Sequence, residues 1–200
     1  YILVLYLHNQ RFTNSTKPVM KKLNILLALL VFAAGSAFAQ TTWSIDKAHS
    51  KIGFSVVHMA ITDVEGNFRD FDASVVSKSA DFDGAEVTFT AKTASIDTDN
   101  ERRDNHLKSG DFFDAEKYPE LTFKGNLVKQ GSKYKLKGNL TMKGVTKPVE
   151  FDVTFGGTIN TGRGEKAGFR VTGKINRQDY GLTWSNKTPG GELVVADEVE

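Results

Sequence analysis

Outside the first 39 residues, this 200-residue chain holds three histidines, His49, His58 and His106, and it has no cysteine anywhere. Three imidazoles are enough for a catalytic zinc site, with water in the fourth position. Their spacing matches no metal-binding motif, and no acidic residue stands beside them at ligand spacing, so no metal is expected. Asp104, His106 and Ser109 have the types of an acid–base pair with a nucleophile. The residues around Ser109, however, lack the Gly-x-Ser-x-Gly that holds a serine on a strained strand-to-helix elbow. Asp97, Asp99, Glu101, Arg102, Arg103 and Asp104 mix both signs and read as a solvated helix face. Arg177 and Asp179 read as a pair that fixes a loop. No catalytic residue and no cofactor are expected from these sets.

The other chemistry within reach is burial of an apolar ligand. Tyr134 to Lys143 alternates without a slip: Tyr134, Leu136, Gly138, Leu140 and Met142 on one face, lysines and polar residues on the other. Successive strand residues face opposite sides, so this is a strand with one apolar face and one wetted cationic face. The same phase elsewhere collects Phe54, Val56, Phe89, Phe123, Leu136, Leu140, Phe151, Val153, Phe155, Phe169 and Val171. These are the candidate lining of a tunnel. Each methylene a ligand buried there contributes about 0.8 kcal/mol, so a long tail binds without a polar anchor. His58, at a strand end, is the candidate contact to a head group. Trp184, with Tyr180, is placed at one end of the barrel, as packing or as a face for a ligand ring. The opposing reading is that these side chains simply fill the interior, which an eight-stranded barrel also permits.

The elements that must position these residues are strands. They are expected at Thr42–Asp46, Lys51–His58, Asp63–Phe71, Ala73–Val76, Glu86–Lys92, Glu120–Gln130 and Lys133–Lys143. One more begins at Pro148 and carries Val149, Phe151, Val153, Phe155, Gly157 and Ile159 inward. A last one carries Ala167, Phe169, Val171, Gly173 and Ile175. Asp83-Gly84, Gly131-Ser132 and Gly144–Lys147 mark turns. Thr98-x-x-Glu101 has the form of a capping box, which predicts a short helix to about Leu107 with almost no apolar stripe. Such a helix must lie across the surface or over an opening. His106, near its C-terminus, suits the helix dipole. About eight strands and one short helix point to an all-β, antiparallel barrel, whose closure also removes exposed edges.

The first 39 residues read as separate from the domain. Met20-Lys21-Lys22, the apolar run Ile25–Ala34 and Ala37-Phe38-Ala39 have the three parts of a secretory signal peptide, cut after Ala39. The run is too short to span a bilayer. Residues 1–19 precede a well-formed start and read as a non-native upstream extension. The leader holds four of the 26 basic residues and none of the 24 acidic ones, so the chain from Gln40 carries a net charge of −2. That balance offers no case for nucleic acid. A periplasmic or secreted protein, without stable membrane insertion after cleavage, is expected.

Several ordered motifs resemble the YceI-like lipid/polyisoprenoid-binding family. They are Trp43-Ser44-Ile45-Asp46-Lys47-Ala48-His49-Ser50, Gly66-Asn67-Phe68, His106 to Asp114, Tyr118 to Phe123, Gly138 to Val149, and Ile175 to Leu182. The resemblance runs from about residue 42 to the end. It implies an extended eight-stranded antiparallel lipocalin-like barrel around a polyisoprenoid or fatty-acyl chain, such as an isoprenoid quinone or its precursor. The ligand is expected to be held non-covalently. A filled barrel serving as a stress-related interaction module is the alternative. Family members carry a complete last strand after the segment matching Val195–Glu200; a short one here would leave an edge for a homodimer.

Overall fold

The structure, a computed structural model, describes residues 2–9 and 40–200, so the expected leader segment 20–39 lies outside the described residues. Among the described residues, thirteen strands form one antiparallel sheet, with one α-helix, α1 (Glu101–Lys108). β2 (Thr41–Ile45) leads through a 3-10 turn into β3 (Lys51–His58). β4 (Thr62–Phe68) returns along β3, and β5 (Phe71–Ser77) continues beside β2. The expected strand Asp63–Phe71 is thus broken at Arg69-Asp70, and Phe71 opens the next strand, longer than Ala73–Val76. Arg69 N–H donates to Ser95 O and Asp70 N–H to Ser95 Oγ, and these bonds turn the chain at the break.

β6 (Glu86–Lys92), the two-residue β7 (Ile96–Asp97), β8 (Glu120–Gln130) and β9 (Lys133–Met142) follow. β10 (Val145–Asn160) and β11 (Glu165–Thr172) extend the sheet. The turn between β9 and β10 is Lys143-Gly144, both at positive φ, so β10 begins at Val145 and Pro148 lies inside it. Pro148 is tolerated because β11 pairs with β10 only from Asp152 onward, leaving the side of β10 away from β9 free of β11 there. Further on, the register shifts between Phe155 and Gly157, where Gly157 has φ +102°. A bulge reverses the inward–outward phase. Ile159, expected inward, is therefore 64% exposed. β11 ends before Gly173, and Ile175 is buried from the short β12 (Ile175–Asn176).

β2 to β11 curl strongly into a half-barrel around one apolar core. Gly125 and Gly138 face each other across β8 and β9; a Cβ on Gly138 would lie 2.4 Å from Lys124 O and 2.7 Å from the Phe123 ring. The bare backbone there lets two strands and an inward aromatic ring approach closely. β1 (Ile2–Asn9) pairs along its length with β11 and, on its other side, with β2 and β3. Those residues, set apart from the domain in the sequence reading, thus lie in the sheet. Independently, Lys166 Nζ of β11 lies 2.7 Å from Asp46 Oδ2, tying the two margins together. β13 (Val195–Val199) lies between β3 and β12, so the edge on which a homodimer was expected has strand partners on both sides.

Candidate functional site

Aromatic rings close one end of the half-barrel. Phe82 lies 5.2 Å from Trp43, 5.4 Å from Phe155 and 5.0 Å from Phe169, centre to centre, and Phe155 stacks on Phe169 at 4.9 Å. Tyr134 joins them, and its hydroxyl donates to Asp81 O at 2.6 Å. Phe82 sits at φ +60° between two aspartates and is fully buried. An isolated phenylalanine in a polar turn carries no periodicity, so the sequence reading passed over it. Its signal was the cost of leaving that ring in water.

Above this plug lies an inner cavity of about 60 Å³, lined entirely by apolar side chains. Phe89, Phe123, Leu136, Leu140, Phe151 and Val171 were expected in its wall, and they are there. Ile52, Val87, Leu121 and Met142 line it too and were missed, although they share the apolar phase of their strands. Val153 and Phe169 line a smaller gap of about 10 Å³ together with Leu136 and Val171. Phe155 lines neither space; it belongs to the aromatic plug.

The open end holds a second, larger cavity of about 410 Å³. Phe54, Val56 and His58 of β3, Val64 of β4, and Val194 and Val195 form part of its wall. Across from them stand Arg102, Arg103, His106 and Leu107 of α1, with Phe112 and Trp184. Phe54, Val56, His58 and Trp184, expected as ligand contacts, line this cavity, and so do Arg102 and Arg103, which the sequence assigned to a solvated helix face, and His106, which it assigned to the helix dipole. Ile52 lines the inner cavity and Phe54 the outer one. They are two residues apart on one face of β3, about 7 Å along the strand. The Phe54 ring lies 6.0 Å from that of the buried Phe68.

Local bonds fix α1 over the opening. The helix begins at Glu101 with Asn100 as its N-cap: Asn100 Oδ1 accepts from Arg103 N–H at 3.0 Å. The expected capping box with Thr98 does not form. Asp99 at φ +57° turns the chain first. Thr98 then donates through N–H and Oγ1 to the buried Asp104, at 2.9 and 2.6 Å, and accepts at Oγ1 from Arg103 Nε at 2.7 Å. Beyond the helix, Phe112 and Phe113 are buried, and Phe113 meets Phe68 edge-on at 5.8 Å.

His106 sits edge-on to both Phe112 and Trp184, at 5.1 and 5.2 Å, and its Nε2 lies 2.9 Å from Asp111 Oδ2. Asp104 is committed to Thr98, and Ser109 Oγ donates to the His106 carbonyl. The three residues thus do not assemble into an acid, base and nucleophile. His49 pairs with Asp46 and lines neither cavity. Among the described residues, no group of three or more His, Asp or Glu is gathered as a metal site.

The Trp184 and Val195 side of the cavity is held by one cation. Arg177, buried, donates to the carbonyls of Leu182, Trp184, Val195 and Ala196 and to Asp197 Oδ1 at 3.0 Å. Its partner is therefore Asp197, where Asp179 had been expected. Burial pushes the Arg177 guanidinium below its ordinary pKa, and Asp197 opposes that shift. The buried Tyr180 hydroxyl is pushed up to about 12 by desolvation.

A model of the YceI-like domain matches residues 43–200. A UPF0312 protein of Staphylococcus aureus (strain MSSA476) is 37% identical over 162 residues, covering 80% of this chain and 93% of that protein. The crystal structure of BcnA from Burkholderia cenocepacia superposes with a TM-score of 0.65 at 28% identity, covering 77% of this chain and 93% of that one. A polyisoprenoid binding domain from Saccharophagus degradans, implicated in plant cell wall breakdown, superposes with a TM-score of 0.51. It covers 78% of this chain and 91% of that one, and at 14% identity the likeness is one of fold alone.

Proposed function

The chain belongs to the YceI-like domain family, and from that premise we propose that it binds a polyisoprenoid lipid without altering it covalently. The tail lies in the inner cavity and the head in the outer one. One observation carries this reading: a single face of β3 contributes Ile52 to an all-apolar cavity and Phe54 to a larger cavity with cationic and aromatic walls. That order of surfaces matches a ligand with a long hydrocarbon end and a compact polar end. An isoprenoid quinone or its precursor suits the outer cavity well. The His106, Phe112 and Trp184 rings offer faces to a flat ring, and Arg102 offers donors to carbonyl oxygens. The Met20–Ala39 leader pattern supports export to the periplasm or beyond.

The inner cavity, at about 60 Å³, is far below the roughly 300 Å³ of ordinary ligand pockets. A tail must therefore displace side chains of the inner wall to enter. The same volume favours a second reading, a filled barrel that acts as an interaction module. Native mass spectrometry of the protein purified from a bacterial periplasm without detergent, followed by organic extraction, separates the two. The expected result is a solvent-released species of discrete mass with an isoprenoid ladder on fragmentation. A protein that is empty and takes up no added quinone or fatty acid would establish the filled barrel.

A further inference from the structure

The β3–β4 hairpin breaks the rule that apolar side chains on this molecule turn inward. Val57 on the outer face of β3 is 42% exposed, Met59 is 44% exposed and Ile61 is 87% exposed. Met59 and Ala60 have φ of +52° and +62°, and Ile61 N–H donates to His58 O at 3.2 Å. Two left-handed residues closed by that bond make the pattern of a type I′ turn, which Asn-Gly fills most readily. A methionine and an alanine there carry backbone strain and gain no burial in return. The tip is tied to the outer cavity. Met59 N–H donates to Val194 O at 2.9 Å, and both Val194 and His58, the residue before Met59, line that cavity.

We propose that this tip enters the surface of a lipid bilayer and seats the opening against it, so that a ligand passes between membrane and cavity without crossing water. The proposal rests on the lipid-binding reading above. A bilayer fits better than a protein partner because three side chains on a convex tip fall well short of the roughly 800 Å² per partner that a stable protein interface needs. An apolar tip entering the headgroup and acyl boundary needs no complementary shape. The charge around the tip sets the kind of bilayer. Asp63 pairs with Val57, Glu65 pairs with Ser55, and both acids are exposed on the outer face of β4. The surface that suits this flank is neutral, and anionic headgroups would oppose it.

Flotation of the purified protein with phosphatidylcholine vesicles tests the proposal, against Ile61→Asp and Met59→Asn. Asparagine suits the left-handed backbone and keeps the turn. Wild type should float with the vesicles. Ile61→Asp should lower the bound fraction by about tenfold or more, and Met59→Asn by less. Added phosphatidylglycerol should not strengthen binding. Wild type that stays unbound, or an Ile61→Asp protein that floats as well as wild type, would overturn the proposal. So would binding that appears only with phosphatidylglycerol, or an Ile61-dependent dimer in sedimentation. Uptake of a fluorescent isoprenoid from solution, without vesicles, reads the cavity separately. It should be the same in both variants, and its loss in wild type would count against the lipid-binding reading and leave the flotation result standing.

Discussion

Ile52 and Phe54 share one face of β3 and line two very different spaces. Ile52 is one of ten apolar side chains that leave only about 60 Å³. Around Phe54, the wall includes two arginines, two histidines and a tryptophan around about 410 Å³. The inner space recognises nothing but apolar area, a non-directional attraction that grows with chain length. The outer space has directional donors and ring faces, so on the proposed reading discrimination between head groups belongs there. The difference also separates stability from selectivity. The inner wall is the core of the fold, whereas most of the outer wall is borrowed from α1, the segment around Phe112 and the loop that Arg177 holds.

The sharpest way to break this contrast is Leu140→Ala, which removes a buried side chain from the inner wall alone. It should cost about 2–5 kcal/mol in urea unfolding and enlarge the inner space. Tail-length preference should then shift toward bulkier chains, with head-group preference unchanged. An unaltered tail preference in the folded variant would mean that tails do not enter the inner cavity.

Acid acts on the inner wall's margins through Asp46. The hydrogen bond from Lys166 holds the Asp46 carboxyl down at about 2, with His49 adding to the shift and partial burial opposing it. A depressed carboxylate stabilises the fold above its unfolded pKa of about 3.9, and that stabilisation is lost as pH falls from about 4 toward 2. Screening at a partly exposed site leaves about 1–2 kcal/mol. Asp46→Asn should therefore be less stable than wild type at pH 6, with most of that difference gone by pH 2. Equal stability at both pH values would show that the bridge contributes nothing to closing the sheet.

The smallest effect on stability should come from the outer cavity. Arg102 is exposed and makes no ion pair among the described residues, so Arg102→Ala should change unfolding by no more than about 0.5 kcal/mol. It should weaken a ligand with a carbonyl-bearing head more than a plain isoprenoid alcohol of equal length. Equal weakening of both would return Arg102 to the solvated surface.

Much of this was legible from alternation. The strand Tyr134–Met142 and the inward set around it could be read because a period of two admits one buried face, and a slip of one residue would put four apolar side chains in water. The YceI-like motifs were legible for the same reason, being local strings. The chain alone thus determined the antiparallel strands, the apolar interior and the short helix near Glu101. What it left open was every feature set by partners distant in sequence. Ile159 turned outward because a bulge at Gly157 reversed the phase. Phe82 became a plug because three rings from other strands met it. Arg102 and His106 face a cavity because Thr98, Asp104 and Phe113 fix where α1 lies. Periodicity reports which side of its own element a residue takes, and only the packing of elements decides what lies on that side.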